Sequence, residues 1–585
     1  MEDNHGEKSH LLSDEDVRRF IADGFLIVDS TLEPAFHNRV AEEIGYALEY
    51  ELPHPGDNIV PRVPALNLLC ECPSVRGALT SLLGEDYLLL PHRFPHNSEP
   101  LGMASDATPT KTGERKDEKV AQKSIEAFAS NPKMATGSIS ASAWHQDSHA
   151  SCGRTRWHTP RAINIFYFPH DVPLEMGPTR FLAGSHLYAT LHDLRSDQAF
   201  MQEMPAGAVV LAHFDLVHAG SPNYSDQMRY VMKFVALRTK NPSKPTWNNK
   251  EPYWTKPRDL YTDHELTEAW LSLWRWLRGE NRACESDVTT SPLENEVLIA
   301  GMKSASQQTR LSSLYKLASK GASAVKILVD DLISTSGKHR DDGLSRKLST
   351  KDQAGHLGRY FLDAQFTPED SAIALGAIGP AACSFLAELL DHPDPWIRMN
   401  AVYALGEAGS EGASDYLSQI ANLLDDPEPS VIRVTLDAFC ALGNFNVQAI
   451  EQMESFLTGS VRGWGTNKDR EPRLAALGEY RYLSAIALSS WLGNFANDQK
   501  HLVTKVESAL MKSLDDENGY PALIACAALE RSESVPCLQA TVKYLRGRSW
   551  DSAQNIRQIG QWTLEHGRAT IERISQLDHQ KGQVI

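Results

Sequence analysis

The chain has 585 residues, a formal net charge of −17, 42% apolar and 23% charged residues. A single hydrophobic core stops growing near ~250–300 residues, so more than one domain is expected. The acidic balance argues against a nucleic-acid or anionic-membrane surface.

No run approaches 18 consecutive apolar residues, so no membrane span is expected. The eight cysteines are scattered and no secretory signal precedes them. This pattern favours reduced thiols and, by default, a cytoplasmic protein.

The first elements alternate between helix and strand. Residues 13–24 have an apolar helical face, with Ser13 and Asp16 placed as a capping box and Gly24 placed to end the helix. A strand at 25–28 and a second helix at 33–50 follow.

Short strands rich in β-branched and aromatic residues then recur between Gly- and Pro-containing turns. They are 87–94, 163–168, 208–214 and 230–237. This spacing predicts a jelly roll of cupin type, a double-stranded β-helix with flanking helices. The long polar stretch at 97–138 is expected to be an insertion over the mouth of the site or a partly disordered segment.

One motif has the spacing of a metal site. In a strand, His145 and Asp147 point to the same side, and His218 lies 73 residues further on. Two imidazoles and a carboxylate leave part of the metal open, which suits ferrous iron that binds oxygen together with an organic cosubstrate. Arg229, on the next strand, could hold a carboxylate bidentately. A surface loop or a capping cluster is the alternative for His145 and Asp147 alone, because the chain has 21 histidines and 75 acidic residues.

Residues 13–240 resemble the phytanoyl-CoA dioxygenases, a family of iron(II)- and 2-oxoglutarate-dependent oxygenases. The resemblance is carried by SDEDVRRFIADGFLIVDSTLEP, AWHQDSH, MGPTRFLAGSH and HAGSPNYSDQMR, in the family's order and spacing. It implies that His145, Asp147 and His218 bind Fe(2+), and that Arg229 pairs with the distal carboxylate of 2-oxoglutarate. O2 is then the second cosubstrate.

The chain departs from the family pattern at several positions around the cosubstrate. Phe166 stands where many relatives have Trp, Met176 replaces Asn, and Gly220 stands where a serine often helps to bind 2-oxoglutarate. We predict that Phe166 contacts the cosubstrate, and that Ser221, which follows Gly220, does so as well. A further contact upstream of His145 has two candidates, Arg93 and His96.

Asp147 is kept as a carboxylate. Relatives that halogenate lack it, so the resemblance implies hydroxylation or a related oxidation and not chlorination. Just after the motif, Arg154, Arg156 and Arg161 form a basic stretch. It is either a solvated loop or a lid that recognises an anionic substrate.

The second half of the chain reads as almost purely helical. An amphipathic helix with several tryptophans, 263–280, is expected to pack between domains. The stretches 389–409 and 423–443 then repeat the same pattern, with Pro395 and Pro429 near the first helical turn. The repeat resembles the HEAT family, whose helix pairs stack into a solenoid. Acidic residues cluster at its turns, where helix capping is the expected role; they are Asp391, Asp394, Asp425 and Asp426.

We therefore predict an oxygenase domain at 1–285, a linker at 286–299 and an α-solenoid at 300–585 that folds semi-independently. The predicted function is oxidation of an unactivated C–H bond in a small organic substrate, with release of succinate and CO2. The solenoid would serve a protein partner or self-association. Two alternatives stay open: a metal-binding scaffold without turnover, and an oxygenase acting on a protein that the solenoid recruits.

Overall fold

A computed structural model describes most of the chain. The described residues are 10–50, 55–101, 144–147, 155–189, 194, 198–280, 282, 292–337, 366–460, 471–495, 500–516, 519–532 and 534–547. From position 102 onward the predicted insertion lies outside these residues, and so does Arg154.

The first half contains an antiparallel sheet. The strands are β1 (Phe25–Asp29), β2 (Leu88–Ser98), β3 (Ala162–Tyr167), β4 (Arg180–Phe181), β5 (Ala208–His213), β6 (His218–Ala219) and β7 (Arg229–Leu237). Five of them form one sheet in the order β1-β5-β3-β7-β2, with antiparallel pairing between neighbours. β4 and β6 form a separate two-stranded sheet. This confirms the prediction of a β-rich first half.

The two faces of the large sheet have different partners, because successive side chains of a strand point to opposite sides. Ile163 and Ile165 join a hydrophobic core shared with the helices. Phe166 belongs to a separate apolar cluster. Lys233 is paired with Phe166 in the register of β3 and β7, so the two residues share that second face.

The small sheet brings distant parts of the chain together. Phe181 of β4 pairs with His218 of β6. On the other side of β6, His145 forms an antiparallel bridge with His218, with two backbone hydrogen bonds of 3.1 Å. His218 is therefore delivered by a neighbouring strand, as the sequence spacing predicted.

Short helices precede and cover the large sheet. They are α1 (Asp14–Asp23), α2 (Pro34–Tyr50), α3 (Ile59–Arg62), α4 (Leu66–Glu71) and α5 (Pro73–Leu83). The predicted capping box of α1 is present between Ser13 and Asp16. Gly24 ends α1 with φ 82°, a left-handed conformation that favours glycine.

The second half is helical. Its helices, with the tryptophan-rich α6 before them, are α6 (Thr267–Leu277), α7 (Pro292–Met302), α8 (Gln307–Ser319), α9 (Ala322–Ile333), α10 (Asp370–Ile378), α11 (Cys383–Glu388), α12 (Pro395–Ala408), α13 (Ser410–Ala413), α14 (Leu417–Asn422), α15 (Pro429–Leu442), α16 (Val447–Leu457), α17 (Glu471–Phe495), α18 (Lys500–Ser513), α19 (Gly519–Leu529) and α20 (Val535–Gly547). The helix α6 packs between α1 and α8, as its aromatic face predicted.

The repeated units behave as the sequence indicated. Pro395 and Pro429 begin α12 and α15, and these two helices pack against each other. Asp394 caps α12 by accepting a hydrogen bond from the backbone N–H of Trp396. Asp426 forms a bidentate ion pair with Arg398, at 2.8 Å for each oxygen. Capping and pairing explain these acidic side chains.

The predicted linker of the domain division needs correction. Helix α7 begins at Pro292, so the second part of the predicted linker at 286–299 is helical. The solenoid also buries apolar side chains against the first half of the chain, and not only against its own repeats. One buried cluster contains Leu83 and Ile165 from the first half and Leu405 and Ile432 from the second. Semi-independent folding of the solenoid stays a prediction; the shared cluster shows that α12 and α15 also pack against the oxygenase half.

One helical stretch, Asp370–Asp391, is long and apolar enough to pass a membrane-span test, with a mean hydropathy of 1.8. In its most apolar window, 72% is buried inside the protein. Packing among the helices accounts for its composition.

Candidate metal centre

Three side chains with metal-binding atoms converge between the two sheets. The ligand atoms of His145, Asp147 and His218 all lie within 4.8 Å of one another. The Nε2 atoms of His145 and His218 lie 3.8 Å from Oδ1 and Oδ2 of Asp147, respectively. Among the described residues, these three form the group of His, Cys, Asp or Glu side chains that could hold a metal ion.

The ring of His218 is oriented for ligation. Its Nδ1 donates a hydrogen bond to the carbonyl oxygen of Leu216 at 2.9 Å, which leaves Nε2 free of its proton and facing Asp147. Burial, reinforced by the neighbouring His145, lowers the pKa of His218 to about 3. The imidazole is therefore neutral near pH 7, as a metal ligand must be.

Asp147 is buried and ionised. Its Oδ2 accepts hydrogen bonds from Lys233 Nζ at 2.5 Å and from Asn164 Nδ2 at 2.6 Å. Burial disfavours the charged carboxylate, but the cation of Lys233, with His218 and His145, outweighs it and holds the pKa of Asp147 far below its usual range. The carboxylate is thus fixed in position and charge without any metal.

Sequence reasoning missed Lys233 and Asn164. Lys233 lies four residues after Arg229 on β7, and Asn164 lies two residues before Phe166 on β3. Even spacing places such residues on one face of a strand. That periodicity, applied outward from Arg229 and Phe166, would have found both.

Arg229 is buried on the same face of β7 as Lys233, four positions away, with part of its guanidinium unpaired. Its Nη1 donates to the carbonyl oxygens of Ser221 at 3.1 Å and Met176 at 3.4 Å. Its Nε is buried without a hydrogen-bond partner. Burial, with a smaller effect of the nearby Arg180, lowers the pKa of Arg229 to about 10, so the group still carries its charge at neutral pH.

Arg180 adds a second buried guanidinium. It donates to the carbonyl oxygen of Gly220 at 2.9 Å, and its own Nε has no partner. Its charged carbon lies 4.9 Å from the ring centre of Trp144. Two cations with unsatisfied donors at one place fit an anionic group such as a carboxylate.

Aromatic rings close the side of the site next to His218. Phe166 meets the His218 ring edge-on with centroids 5.2 Å apart, and Phe181 lies 6.3 Å from it. The structure therefore places Phe166 at the metal cluster. The hydroxyl of Ser221 donates to the carbonyl oxygen of Pro178 at 2.6 Å, while its own carbonyl holds Arg229.

Of the two upstream candidates, the structure separates one from the site. Arg93 is paired with Phe234, a residue of the core shared with the helices, and its backbone N–H donates to Asp57 at 3.0 Å. It therefore lies on the face away from the metal cluster. His96 is paired with Val231, which belongs to the cluster on the site face.

The described part of the basic stretch, Arg156 and Arg161, does not form a lid. Arg156 is buried and donates to Gln146 Oε1 at 2.5 Å. Arg161 is buried against Glu407 of α12, with Nε 3.3 Å from Oε1. Both side chains are held by protein groups, and neither is available to a substrate.

The donor set fits iron(II). Two neutral imidazoles and one carboxylate are the ligands of the non-haem iron oxygenases that leave coordination positions open. Arg229 and Arg180, with unsatisfied donors nearby, fit a carboxylate-bearing cosubstrate.

Comparison with known proteins agrees with these features. Residues 105–231 match the sequence profile of the phytanoyl-CoA dioxygenase family, and this range includes the three metal-type ligands and Arg229. Residues 369–444 match HEAT repeats. No curated protein matches the chain.

Several solved structures show a likeness over two fifths of the chain. The non-heme monooxygenase ThoJ in its nickel complex is 18% identical and covers 41% of this chain and 84% of its own, with a TM-score of 0.26. The α-ketoglutarate-dependent carbocyclase SnoK from nogalamycin biosynthesis is 20% identical and covers 39% and 85%, with a TM-score of 0.27. CytC3 with Fe(II) and α-ketoglutarate is 14% identical and covers 39% and 78%, with a TM-score of 0.25. Scores this low support no conclusion about reaction or substrate. By sequence, the chain combines a phytanoyl-CoA dioxygenase domain at 105–231 with HEAT repeats at 369–444.

Proposed function

We propose that this protein is an Fe(II)- and 2-oxoglutarate-dependent dioxygenase that hydroxylates or otherwise oxidises an unactivated C–H bond of a small organic molecule. The observation that carries the proposal is the convergence of His145, Asp147 and His218 within 4.8 Å beside Arg229, whose buried Nε has no partner. A metal-binding scaffold without turnover would need the ionised carboxylate, but it would not need the unpaired cation.

We propose that the two sheets are the opposing walls of a double-stranded β-helix. His218 comes from the small sheet and His145 is bridged to it, while Asn164, Phe166 and Lys233 come from one face of the large sheet. The candidate centre therefore lies between the sheets, where a jelly roll keeps its pocket.

In this proposal each residue has a defined task. His145, Asp147 and His218 would hold iron(II), and the hydrogen bond from His218 to Leu216 keeps the ligating nitrogen unprotonated. Asn164 and Lys233 keep Asp147 ionised and oriented. Arg229 would bind the distal carboxylate of 2-oxoglutarate, with Arg180 as a second cation at the same place.

When bound, iron supplies the oxidation chemistry by which 2-oxoglutarate and O2 give succinate, CO2 and an oxidised substrate. The chain supplies a dry and oriented setting. Phe166 and Phe181 exclude water from one side of His218. The carboxylate at Asp147 occupies the position that the halogenating relatives leave open, so the proposed outcome is oxidation without halide transfer.

The proposal is tested by anaerobic reconstitution with Fe(II) and 2-oxoglutarate, followed by O2 and measurement of succinate. We expect uncoupled succinate formation by the wild-type protein and none by His145→Ala or Asp147→Ala. His501→Ala, an exposed histidine on α18, is the control and should match the wild type. Succinate formation that persists in Asp147→Ala would sink the proposed ligand set.

Substrate identity is approached with the same reconstituted protein. A metabolite extract and a set of protein extracts would be supplied in parallel, and products heavier by one oxygen atom would be sought. HEAT repeats form long binding surfaces, which favours a protein as the second class of substrate or partner. Oxidation confined to the metabolite arm supports the small-molecule proposal, and oxidation confined to the protein arm replaces it.

A further inference from the structure

We infer that the HEAT repeats position the metal ligands, with Asp437 and Glu407 acting as positioning residues through residues 155–161, here called the connecting segment. This inference rests on the proposed metal centre. It assigns to the helical half a part in building the site, beyond a role in recruiting partners.

The first contact is made by Asp437 of α15. Its Oδ2 accepts hydrogen bonds from the backbone N–H and the hydroxyl of Thr155, both at 2.9 Å. Asp437 and Thr155 are each only 1% exposed. Thr155 follows Asp147 by eight positions, so this hydrogen bond fixes the chain shortly after the ligand motif.

The second contact is made by Glu407 of α12, a fully enclosed carboxylate. It accepts hydrogen bonds from Thr159 at 2.6 Å and from Arg282 at 2.8 Å, and it pairs with Arg161 at 3.3 Å. Burial disfavours its charge, but the cations of Arg282 and Arg161 outweigh that cost and lower the pKa of Glu407. The end of the connecting segment is thereby tied to the HEAT repeat.

Between these anchors the segment lies against one face of the repeats. Trp157 stacks on Tyr403 of α12, with ring centroids 4.6 Å apart and planes at 24°. Tyr403 and Asp437 are 34 positions apart, as are Pro395 and Pro429 at the starts of their helices. Tyr403 and Asp437 therefore occupy the same place in successive repeats. One face of the solenoid contacts the whole connecting segment.

Hydrogen bonds near both ends of the connecting segment link it to the ligand motif. Arg156 donates to Gln146, the residue between His145 and Asp147, at 2.5 Å. Gln146 donates in turn to the carbonyl oxygens of Tyr188 and Asp215.

At the other end of the segment, β3 begins at Ala162. Its Asn164 donates to Asp147. Both connections from the HEAT repeats therefore end at the ligand motif.

Groups that orient metal ligands from behind typically change metal affinity by about 10–100-fold when they are removed. We therefore expect Asp437→Ala, in the full-length protein, to weaken binding of Co(II) by about tenfold or more. Co(II) is the probe because it resists oxidation and its visible absorption reports the geometry of its ligands. Affinity and spectrum are measured without 2-oxoglutarate or O2.

Two further variants separate positioning from general loss of stability. Asp437→Asn keeps an oxygen that can accept from Thr155 and should retain Co(II) affinity within a few-fold of the wild type. Asp426→Ala is the matched control, since it removes another buried HEAT carboxylate whose ion pair with Arg398 lies within the repeats. It should lower the urea midpoint of unfolding yet leave the Co(II) spectrum and affinity unchanged.

The outcomes are distinct. If Asp437→Ala is folded and binds Co(II) with wild-type affinity and spectrum, the inference is overturned and the proposed function stands. If Asp426→Ala weakens binding equally, the effect is general destabilisation and the inference is again overturned. If Asp437→Ala does not fold, Thr155→Val decides by the same measurements, with weaker binding expected. A wild-type protein that binds no Co(II) overturns the proposed metal centre itself.

Discussion

At the scale of single residues, Asp147 already has a cation before any metal arrives. Lys233 neutralises it at 2.5 Å, and Asn164 shares the same oxygen. Removing one partner of a buried ion pair leaves an uncompensated charge, which is costly. Lys233 therefore sets the protonation state of Asp147, the proposed ligand.

This gives a prediction for Lys233→Met. Without the cation, burial is less strongly opposed and the pKa of Asp147 rises from its depressed value. Co(II) binding should then displace more protons in Lys233→Met than in the wild type, and the affinity should fall more steeply as pH decreases. Calorimetry in buffers of different ionisation enthalpy counts the protons. Lys233→Arg keeps the charge and serves as control; equal proton release in all three proteins would contradict the assignment.

A second prediction concerns Arg229. Loss of a buried, hydrogen-bonded charge partner costs about 2–5 kcal/mol, which corresponds to about 30-fold or more in affinity. Arg229→Ala should weaken 2-oxoglutarate binding by this amount. Arg229→Lys keeps the charge but loses the planar guanidinium. Its affinity for 2-oxoglutarate should lie between those of the wild type and Arg229→Ala. Titration of 2-oxoglutarate into the Co(II)-loaded proteins measures the order, and an unchanged affinity in Arg229→Ala would assign the role to Arg180.

The sequence allowed part of this site to be predicted. His145 and Asp147 are two positions apart in a strand, so their shared side follows from local geometry. Arg93 was an upstream candidate, but the pairing of β2 shifts between Leu89 and Arg93. Such an irregularity changes which side chains face the pocket, and no local pattern in the sequence marks it. Periodicity places Lys233 on the same face as Arg229, but its contact with Asp147, 86 positions away, depends on the long-range packing of the two segments.

At the scale of elements, the contact between α12 and α15 is tight where the connecting segment crosses it. A Cβ added at Gly406 would lie 3.1 Å from Cα of Ala438 and 3.2 Å from the ring of Trp157. The absence of a side chain at this position allows Trp157 to approach both helices.

We predict that Gly406→Ala is destabilising. Alanine favours a helix interior by about 1 kcal/mol relative to glycine. Overpacking costs about 1–3 kcal/mol, and the backbone of Ala438 cannot move aside as a flexible side chain could. A net loss of about 1 kcal/mol is expected in urea unfolding. Gly493→Ala on α17 is the control, since a Cβ there meets nothing within 4 Å, and it should be neutral or stabilising.

The helical elements were easier to predict than their partners. Asp-Pro turns, small residues and a repeat of 34 positions are local signals, and α12 and α15 begin at the prolines they indicate. Glu407 and Asp437 gave no such signal, because their partners Thr159 and Thr155 lie 248 and 282 positions away. The prediction of semi-independent folding rests on the local signals alone and takes no account of these contacts.

At the scale of the whole molecule, buried histidines make stability depend on pH. Burial, the main cause, lowers the pKa of His213 to about 3 and the pKa values of His158 and His186 well below 6.5. The unfolded chain therefore takes up protons below pH 6.5 that the folded protein does not, and stability present above pH 6.5 is lost as pH falls. Burial lowers the pKa values of His218 and His96 in the same way. Asp23, whose pKa burial raises to about 6, acts in the opposite sense, but it is one group against these five histidines.

We expect the free energy of unfolding to fall by about 1 kcal/mol per histidine between pH 6 and pH 5. Urea unfolding of the metal-free protein at the two pH values measures the slope. Replacing His213 with Asn should reduce this fall by the contribution of one histidine, about 1 kcal/mol. A flat profile in this window would show that these rings are protonated in the folded protein.

A last prediction concerns a chain truncated near residue 285. It lacks the acceptors Glu407 and Asp437, and it exposes the buried face of α6 that packs on α8. Buried Arg161 loses the carboxylate that faces it, which is costly. We expect little soluble protein, and Co(II) binding at least tenfold weaker in any that is recovered. A folded fragment with wild-type affinity would show that the oxygenase half is self-sufficient.

The long reach of these contacts also has a consequence for how the protein is made. A ribosome releases His145 and Asp147 almost three hundred positions before Asp437, and Asp57 meets Tyr520 across a separation of 463. Domains commonly fold in order as they emerge during synthesis, but here the ligand motif emerges before the groups that hold it. An unfinished or prematurely terminated chain therefore has the ligands without their support. The contacts that hold the ligand motif can therefore form only after the HEAT repeats have been synthesised.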